Sequence, residues 1–480
     1  MIWLDRSFRT MADALRIAVV GGGITGLAAA HAAAERARER NRPVVVTVLE
    51  QSKRFGGSLV TERLDGFLLD GGADSWVASK PQATALARGL GLSDSLVGTN
   101  RANRQFYVAR GQKLHPVPEG FVLGVPTRFA PLARTRLFSW TGKARMALEP
   151  LVPVRRLDPN GDESIADFVT RRLGREAAER LVAPLLSGIS SGDASNISVR
   201  AAFPQLVAME QDHGSLLRAM WALRKGARAR APNESAFCSL RGGMGELTGA
   251  LVERLRQEGV VLRTEAPVTE VKRAEGRWAL AIAGAERLEA DAVLLAIPAH
   301  AAAELLAPVD AGVAGDLRSI HYGSAATVFF AYRRADVAHP LDGVGFIVPR
   351  SPNRSILAST WVSSKWDDRA PEGSVLVRAF FGRTPGDATL AQSDVALARC
   401  AREDLRELMG LDAEPLFARV FRFDRASAQM RVGHLATMRA IHEGLARAAP
   451  GVRVAGGGYD GIGIPDCVRQ GEEAGRAFVE

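Results

Sequence analysis

The sequence predicts an α/β fold with buried parallel strands and crossover helices, and three observations carry that expectation. A short apolar run, Arg16-Ile17-Ala18-Val19-Val20, leads straight into Gly21-Gly22-Gly23, the pattern of a strand buried on both faces. A proline-free stretch rich in Ala, Glu and Arg follows from Ile24 to Arg40, composition that favours a helix. Asn41-Arg42-Pro43 breaks it before the β-branched run Val44 to Leu49, which completes one β-α-β unit.

The elements that follow fall into blocks. From about 130 to 230 the chain shows helical periodicity with many Leu and Ala and scattered cations, including Arg134, Arg136, Lys143, Arg145, Arg155, Arg156, Arg218, Arg224 and Arg228. Ala231-Pro232-Asn233-Glu234-Ser235 reads as a linker leaving this helical block. Strand-like runs return at Val260 to Leu262, Trp278 to Ile282, Ala292 to Ile297, Ala325 to Tyr332 and Val375 to Phe381. A last buried strand, Val452 to Ala455, ends in Gly456-Gly457-Gly458.

Length and composition bound the rest. At 480 residues, 47% hydrophobic and 24% charged, the chain has the mass for two or three units with real cores. That excludes a disordered chain, a collagen-like fibre and a disulfide-stapled miniprotein. There is no uncharged apolar run of membrane-spanning length, and the first residues lack the pattern of a signal peptide. Residues 1–10 read as a dispensable extension. Cys238, Cys400 and Cys467 are far apart with no CxxC spacing, which fits a reducing, cytoplasmic compartment. The net charge of +9 is carried largely by Arg. Such a charge suits nucleic acid, an anionic membrane or an acidic substrate, and equally a compositional bias; no nucleic-acid partner is expected.

Gly21-Gly22-Gly23-Ile24-Thr25-Gly26 is a G-x-G-x-x-G loop placed between strand and helix. Gly21 serves the tight turn, Gly23 the approach of a pyrophosphate and Gly26 the packing of helix on strand. The helix N-terminus then faces the phosphates. Glu50 closes the second strand, at roughly the 20-residue spacing where a carboxylate reaches the ribose hydroxyls and disfavours a 2′-phosphate. No HExxH, G-x-S-x-G or P-loop occurs, and His115, His300 and His434 have no ligand-spaced partner. They read as structural, and no metal site is expected.

Arg54-Phe55-Gly56-Gly57-Ser58 resembles the R-x-G-G extension of the flavin amine oxidase and desaturase superfamily, and so favours FAD over NAD. Asp70-Gly71-Gly72-Ala73-Asp74-Ser75-Trp76, Leu114 to Pro118, Pro184 to Asp193, Ala201 to Gln205 and Gly461-Ile462-Gly463-Ile464-Pro465-Asp466-Cys467 resemble segments of the oxygen-dependent porphyrinogen oxidases. These motifs span nearly the whole chain. Phe121 to Pro153 and Thr360 to Gly373 look most like the Gram-positive-type branch that oxidises coproporphyrinogen III. The chain departs from that family where Phe423, Ala428 and Met430 replace the usual Trp, Pro and Tyr.

The resemblance implies a glutathione-reductase-like Rossmann FAD domain assembled from 11–80, 235–300 and 415–480. A mixed-sheet substrate domain would take 81–130 and 301–414, and a helical domain 131–234. It implies that Gly21, Gly22, Gly23, Ile24, Thr25 and Gly26 meet the pyrophosphate, and Glu50, Gln51 and the Val268 backbone the adenosine half. Gly57, Ser58, Gly72, Ala73, Asp74 and Ser75 would line the ribityl and ring side, with Phe423 as an aromatic wall and Ile462-Gly463-Ile464 under the ring. The Gly188 carbonyl would orient the substrate's meso carbon beside Ile189, and Lys80 and Arg104 would pair with substrate carboxylates. The implied activity is six-electron oxidation of coproporphyrinogen III or protoporphyrinogen IX with O2 as acceptor and H2O2 as product. Two alternatives stay open: another flavin amine oxidase or carotenoid desaturase, and a flavin-free binding module like the Rab GDP-dissociation inhibitors. The four tyrosines are few for the aromatic cage of an amine oxidase. The helical block shows no interfacial Trp/Phe face, so no membrane contact beyond a peripheral one is expected.

Overall fold

The computed structural model describes residues 14–155, 161–190, 192–226, 235–284, 286–349, 353–382 and 388–480. The extension at 1–10 and all of the expected linker but Ser235 lie outside the described residues.

Strand β1 (Leu15–Val20), helix α1 (Ile24–Glu39) and strand β2 (Val44–Leu49) form the expected unit. With β3 (Val261–Arg263), β4 (Ala292–Leu295) and β5 (Val452–Val454) they make a parallel sheet of order β3-β2-β1-β4-β5. The strands are apolar because helices cover both faces: Ile17, Ala18, Val19, Val46 and Val48 are all buried. An antiparallel meander, Val268–Ala274, Arg277–Ile282 and Glu286–Ala290, is inserted between β3 and β4.

Helix α1 is alanine-rich for a physical reason. It is covered on one side by the sheet and on the other by the C-terminal helix Ile464–Val479, which follows α2 (Gly245–Gln257) as α3. The two helices touch backbone to backbone. A Cβ built on Gly471 would lie 2.3 Å from the Thr25 carbonyl oxygen, and one on Gly475 would lie 2.1 Å from that of Ala29.

A second sheet of seven strands runs in the order Phe417–Gln429, His321–Arg333, Ser374–Phe381, Ala358–Trp361, Gly343–Ile347, Gln105–Arg110, Lys113–Pro116. One face packs Phe329, Leu376 and Phe421 against Phe67, Leu69 and Trp366. The other packs Val328, Phe330 and Val377 against helix Asp394–Met409. Helices from Phe129–Arg134 to Leu216–Gly226 cover the far edge, with Phe168, Leu181 and Met220 in their core. A guanidinium–carboxylate network sits there: buried Arg172 pairs with Glu149 and Glu210, and half-buried Arg171 with Glu210 and Glu163 at 2.6 Å.

This helical region also exposes several large apolar side chains. Phe129, Trp140, Leu148, Leu151 and Trp221 are exposed on it, Phe129 and Trp221 pack ring on ring, and Lys143 lies over the Trp140 ring. Phe129, Trp140 and Trp221 come from three separate short helices, so this exposed face is not the face of one helix. Among the described residues no helix is long and apolar enough to cross a membrane.

Candidate functional site

The first strand delivers its glycines into a space that tolerates no other residue. Gly21 has φ of +107°, and a Cβ there would lie 2.4 Å from the Ala296 oxygen. A Cβ on Gly22 would strike the Phe55 ring at 2.4 Å, and one on Gly26 would lie 2.0 Å from the Gly21 oxygen. Gly23 is the exception, since no atom lies within 4 Å of its Cβ direction. Helix α1 therefore begins beside an open cradle, with no side-chain cap and no acidic residue in its first turn. Unsatisfied first-turn N–H groups facing open space suit a phosphate.

Glu50 is 8% exposed and fastens this loop. One carboxylate oxygen accepts the Gly22 N–H at 2.8 Å, and the other accepts the Ser52 N–H at 2.8 Å and its hydroxyl at 2.7 Å. A carboxylate has about four acceptor positions, so the capacity left for a ribose is narrower than the sequence implies. The Glu50–Ser52 turn is laced to the segment before Val268: Glu265 donates to Ser52 and Ala266 to Glu50. Glu50, exposed Gln51 and half-buried Val268 thus share one end of the site.

The second glycine pair closes on the first. The Gly56 N–H donates to the Gly22 oxygen at 2.8 Å, and a Cβ on Gly57 would sit 3.3 Å from the Gly23 Cα. Both adopt positive φ, +110° and +56°, which glycine permits at little cost. Arg54 ties the turn by donating to the Gly57 and Phe55 carbonyls at 2.6 and 3.2 Å. Ser58 continues the wall, since a Cβ on Gly72 would lie 2.0 Å from the Ser58 oxygen and 3.7 Å from the Phe423 ring. Gly23, Gly57, Ser58, Gly72 and Phe423 therefore form one continuous surface.

Behind that surface stands a charge cluster the sequence reading missed. Asp74 pairs with Lys365 at 2.8 Å, and accepts from Trp366 Nε1 at 3.1 Å and from the Ser75 hydroxyl at 2.8 Å. Burial alone would push the Asp74 carboxyl up, but Lys365 and Arg378 outweigh it and hold it well below the usual carboxylate range. Asp70, which burial raises, faces Arg369 at 3.4 Å and accepts the Thr61 hydroxyl at 2.6 Å. Arg378 is buried and donates to the Gly71 and Gly72 carbonyls at 2.7 and 2.5 Å, while its Nε has no partner. A lone arginine inside Val375 to Phe381 was the visible signal, because buried strands exclude unpaired cations.

The C-terminal loop reaches the same region through α3. Its N-terminus carries Pro465 in the first turn, and Asp466 accepts the Gly463 N–H at 3.3 Å. Gln470 accepts the Gly456 and Asp460 N–H groups at 3.1 and 3.2 Å, and Tyr459 is buried with its hydroxyl on the Ile297 carbonyl. Ile462, Gly463 and Ile464 are anchored beside α1 by the docking of Gly471 on Thr25. Ala73 is exposed at the rim.

Lys80, Arg104, Gly188 and Ile189 complete the expected set. Lys80 donates to both Asp466 oxygens at 2.7 Å, so it latches the C-terminal loop. Arg104 is exposed and carries no ion pair among the described residues. Gly188 and Ile189 fall on helix Ala183–Ser190, but their surroundings lie outside the described residues. His434 is buried and meets the Tyr459 carbonyl at 2.7 Å.

The chain is similar to known proteins along nearly its whole length. The family model described as flavin containing amine oxidoreductase matches residues 24–477. The chain is 36% identical over 461 residues to the coproporphyrinogen III oxidase of Bacillus subtilis, covering 95% of this chain and 96% of that one. It is 29% identical over 472 residues to the chloroplastic protoporphyrinogen oxidase 1 of Arabidopsis thaliana, covering 94% and 85%. Among solved structures, a candidate protoporphyrinogen oxidase from Exiguobacterium sp. 255-15 superposes with a TM-score of 0.86 at 33% identity, covering 97% and 98%. A putrescine oxidase at 18% identity, with a TM-score of 0.68, shares the fold.

Proposed function

This chain belongs to the flavin-containing amine oxidoreductase family, among its porphyrinogen oxidases, and we propose that it oxidises coproporphyrinogen III to coproporphyrin III with O2 as final acceptor. The observation that carries the reading is the near full-length match to the Bacillus subtilis coproporphyrinogen III oxidase. Bound FAD would supply the two-electron redox chemistry. Six electrons and six protons leave the porphyrinogen, so one turnover consumes three O2 and releases three H2O2.

The residues divide the binding work. The open cradle at Gly23 and the uncapped α1 suit the pyrophosphate, and Glu50 with Gln51 and the Val268 backbone suit the adenosine. Ser58, the Gly72–Ser75 segment, Phe423 and Ile462–Ile464 suit the ribityl chain and ring. The substrate would sit between this surface and helix Ala183–Ser190, with the Gly188 carbonyl oriented to a meso carbon. No side-chain acid or base is required, because pyrrole N–H groups and water can release the protons.

The same reading has the enzyme work in the cytoplasm, since a substrate with four carboxylates needs no delivery through a bilayer. The exposed Phe129–Trp221 face would then be its point of any peripheral contact. The test is to supply coproporphyrinogen III and protoporphyrinogen IX side by side, following porphyrin fluorescence and O2 uptake. Faster turnover of the tetracarboxylate with three O2 per porphyrin is expected. A preference for the dicarboxylate would reassign the substrate, and colourless protein inactive on both would reject the reading.

A further inference from the structure

The charge cluster behind Gly71–Ser75 does not balance. Three cations, Lys365, Arg369 and Arg378, come from the second sheet and the segment that follows its strand Ala358–Trp361, and two carboxylates, Asp70 and Asp74, answer them, while Glu246 and Arg63, which also act on Arg369, offset each other. Asp74 is spoken for by Lys365 and Asp70 by Arg369, which leaves Arg378 as the surplus. Its guanidinium is 3% exposed and, among the described residues, hydrogen-bonds only the carbonyls of Gly71 and Gly72, with Phe380 and Phe329 rings at 4.4 and 5.2 Å. Thr327 donates to the same Gly71 oxygen at 2.9 Å.

A buried cation without a dedicated counter-charge is costly, and packing alone does not call for one. Burial depresses the Arg378 pKa to about 10, against the pull of Asp74 and Asp70, so the group remains charged at neutral pH. The two carbonyls it holds belong to the segment that continues the surface from Gly23 through Ser58 to Phe423. A fixed positive charge there faces whatever lies on that surface through one layer of backbone, in surroundings that screen charge far less than water does.

We propose that Arg378 is a positioning residue for the flavin: it fixes the Gly71–Gly72 backbone against the ring and leaves the cluster with one net positive charge, which favours the reduced, anionic cofactor. Asp74 sets the size of that charge from the other side. This rests on the flavin reading of the site. The role is electrostatic as well as mechanical, so the two substitutions that change the charge must act in opposite directions.

The experiment measures the flavin midpoint potential and the visible spectrum of wild type, Arg378→Met, Arg378→Lys and Asp74→Asn. Arg378→Met, with net charge zero, is expected to disfavour two-electron reduction at least tenfold, a shift of about 30 mV to more negative potential. Arg378→Lys keeps the charge and should hold the potential near wild type while flavin dissociates faster, because a flexible ammonium holds the two carbonyls less rigidly than the planar guanidinium whose Nη2 binds both. Asp74→Asn leaves two net positive charges and should move the potential the other way. If Arg378→Met does not fold, Asp74→Asn against Arg378→Lys still decides the sign. Unchanged potentials, or shifts of Met and Asn in the same direction, overturn the inference. Wild-type protein that binds no flavin overturns the functional reading instead.

Discussion

Replacing Glu50 with glutamine keeps the shape of the side chain and removes half of its acceptor capacity. The amide oxygen can still take both donors of Ser52, which leaves the NH2 group facing the buried Gly22 N–H where a carboxylate oxygen now sits at 2.8 Å. Two donors in opposition cannot bond. The variant loses a charge-assisted hydrogen bond of about 1.5–3 kcal/mol, and the Gly22 N–H is left buried and unsatisfied. That energy now preorganises the loop that would cradle the pyrophosphate, so the holo form must recover it on binding. The expected result is flavin affinity weaker by roughly ten- to hundredfold, at about 1.4 kcal/mol per decade. Visible absorbance after gel filtration at low concentration gives the occupancy, and quenching of flavin fluorescence gives the Kd. Ser52→Ala, which removes one hydroxyl donor from the same carboxylate but leaves the buried Gly22 N–H bonded, should weaken binding less. A glutamine variant with full occupancy and a Kd within twofold of wild type would show that Glu50 does not organise the loop.

Three further outcomes follow from the geometry. A Cβ on Gly463 meets only Asp466 and Pro465, at 3.1 and 3.7 Å; Gly463→Val should therefore fold, with circular dichroism near wild type, yet purify colourless. Gly475→Val would drive a side chain into the Ala29 carbonyl at 2.1 Å, separating α3 from α1 and lowering Tm by several degrees, as overpacking of about 1–3 kcal/mol does. The pH dependence has a defined sign, because burial lowers the pKa of His434 below the usual histidine value. Unfolded chain then binds more protons below pH ~6.5, so stability should fall as pH drops from ~6.5 toward 5. Thermal melts of wild type and His434→Asn across that range would check it, the variant showing the shallower slope.

Much of the fold was readable because period and punctuation coincide. Val44 to Leu49 is a strand with the bounds its β-branched run suggested, and Gly21 to Gly26 turns where its glycines allow. The reading failed where local pattern and tertiary role separate. Glu286–Ala290 reads as helix-forming Glu, Arg, Leu and Ala, yet pairs as a strand because its partner Arg277–Ile282 is a strong one. The long strand Phe417–Gln429 was seen only as a motif around Phe423, although Phe417, Phe421 and Phe423 already recur at even spacing. Lys80 illustrates a different limit. A lone cation in sequence does not announce its partner, and Asp466 lies at the other end of the chain.

The backbone contact of Gly471 and Gly475 with Thr25 and Ala29 has a consequence for biosynthesis. The dinucleotide loop leaves the ribosome long before the helix that braces it. Domains that fold from consecutive residues can settle during translation, but this one must wait with its glycine loop unbraced until α3 emerges. Cofactor capture is therefore expected after translation of α3. Nascent chains stalled before Ile464 should bind little flavin however long they are held, and their exposed alanine face on α1 is a natural surface for a chaperone.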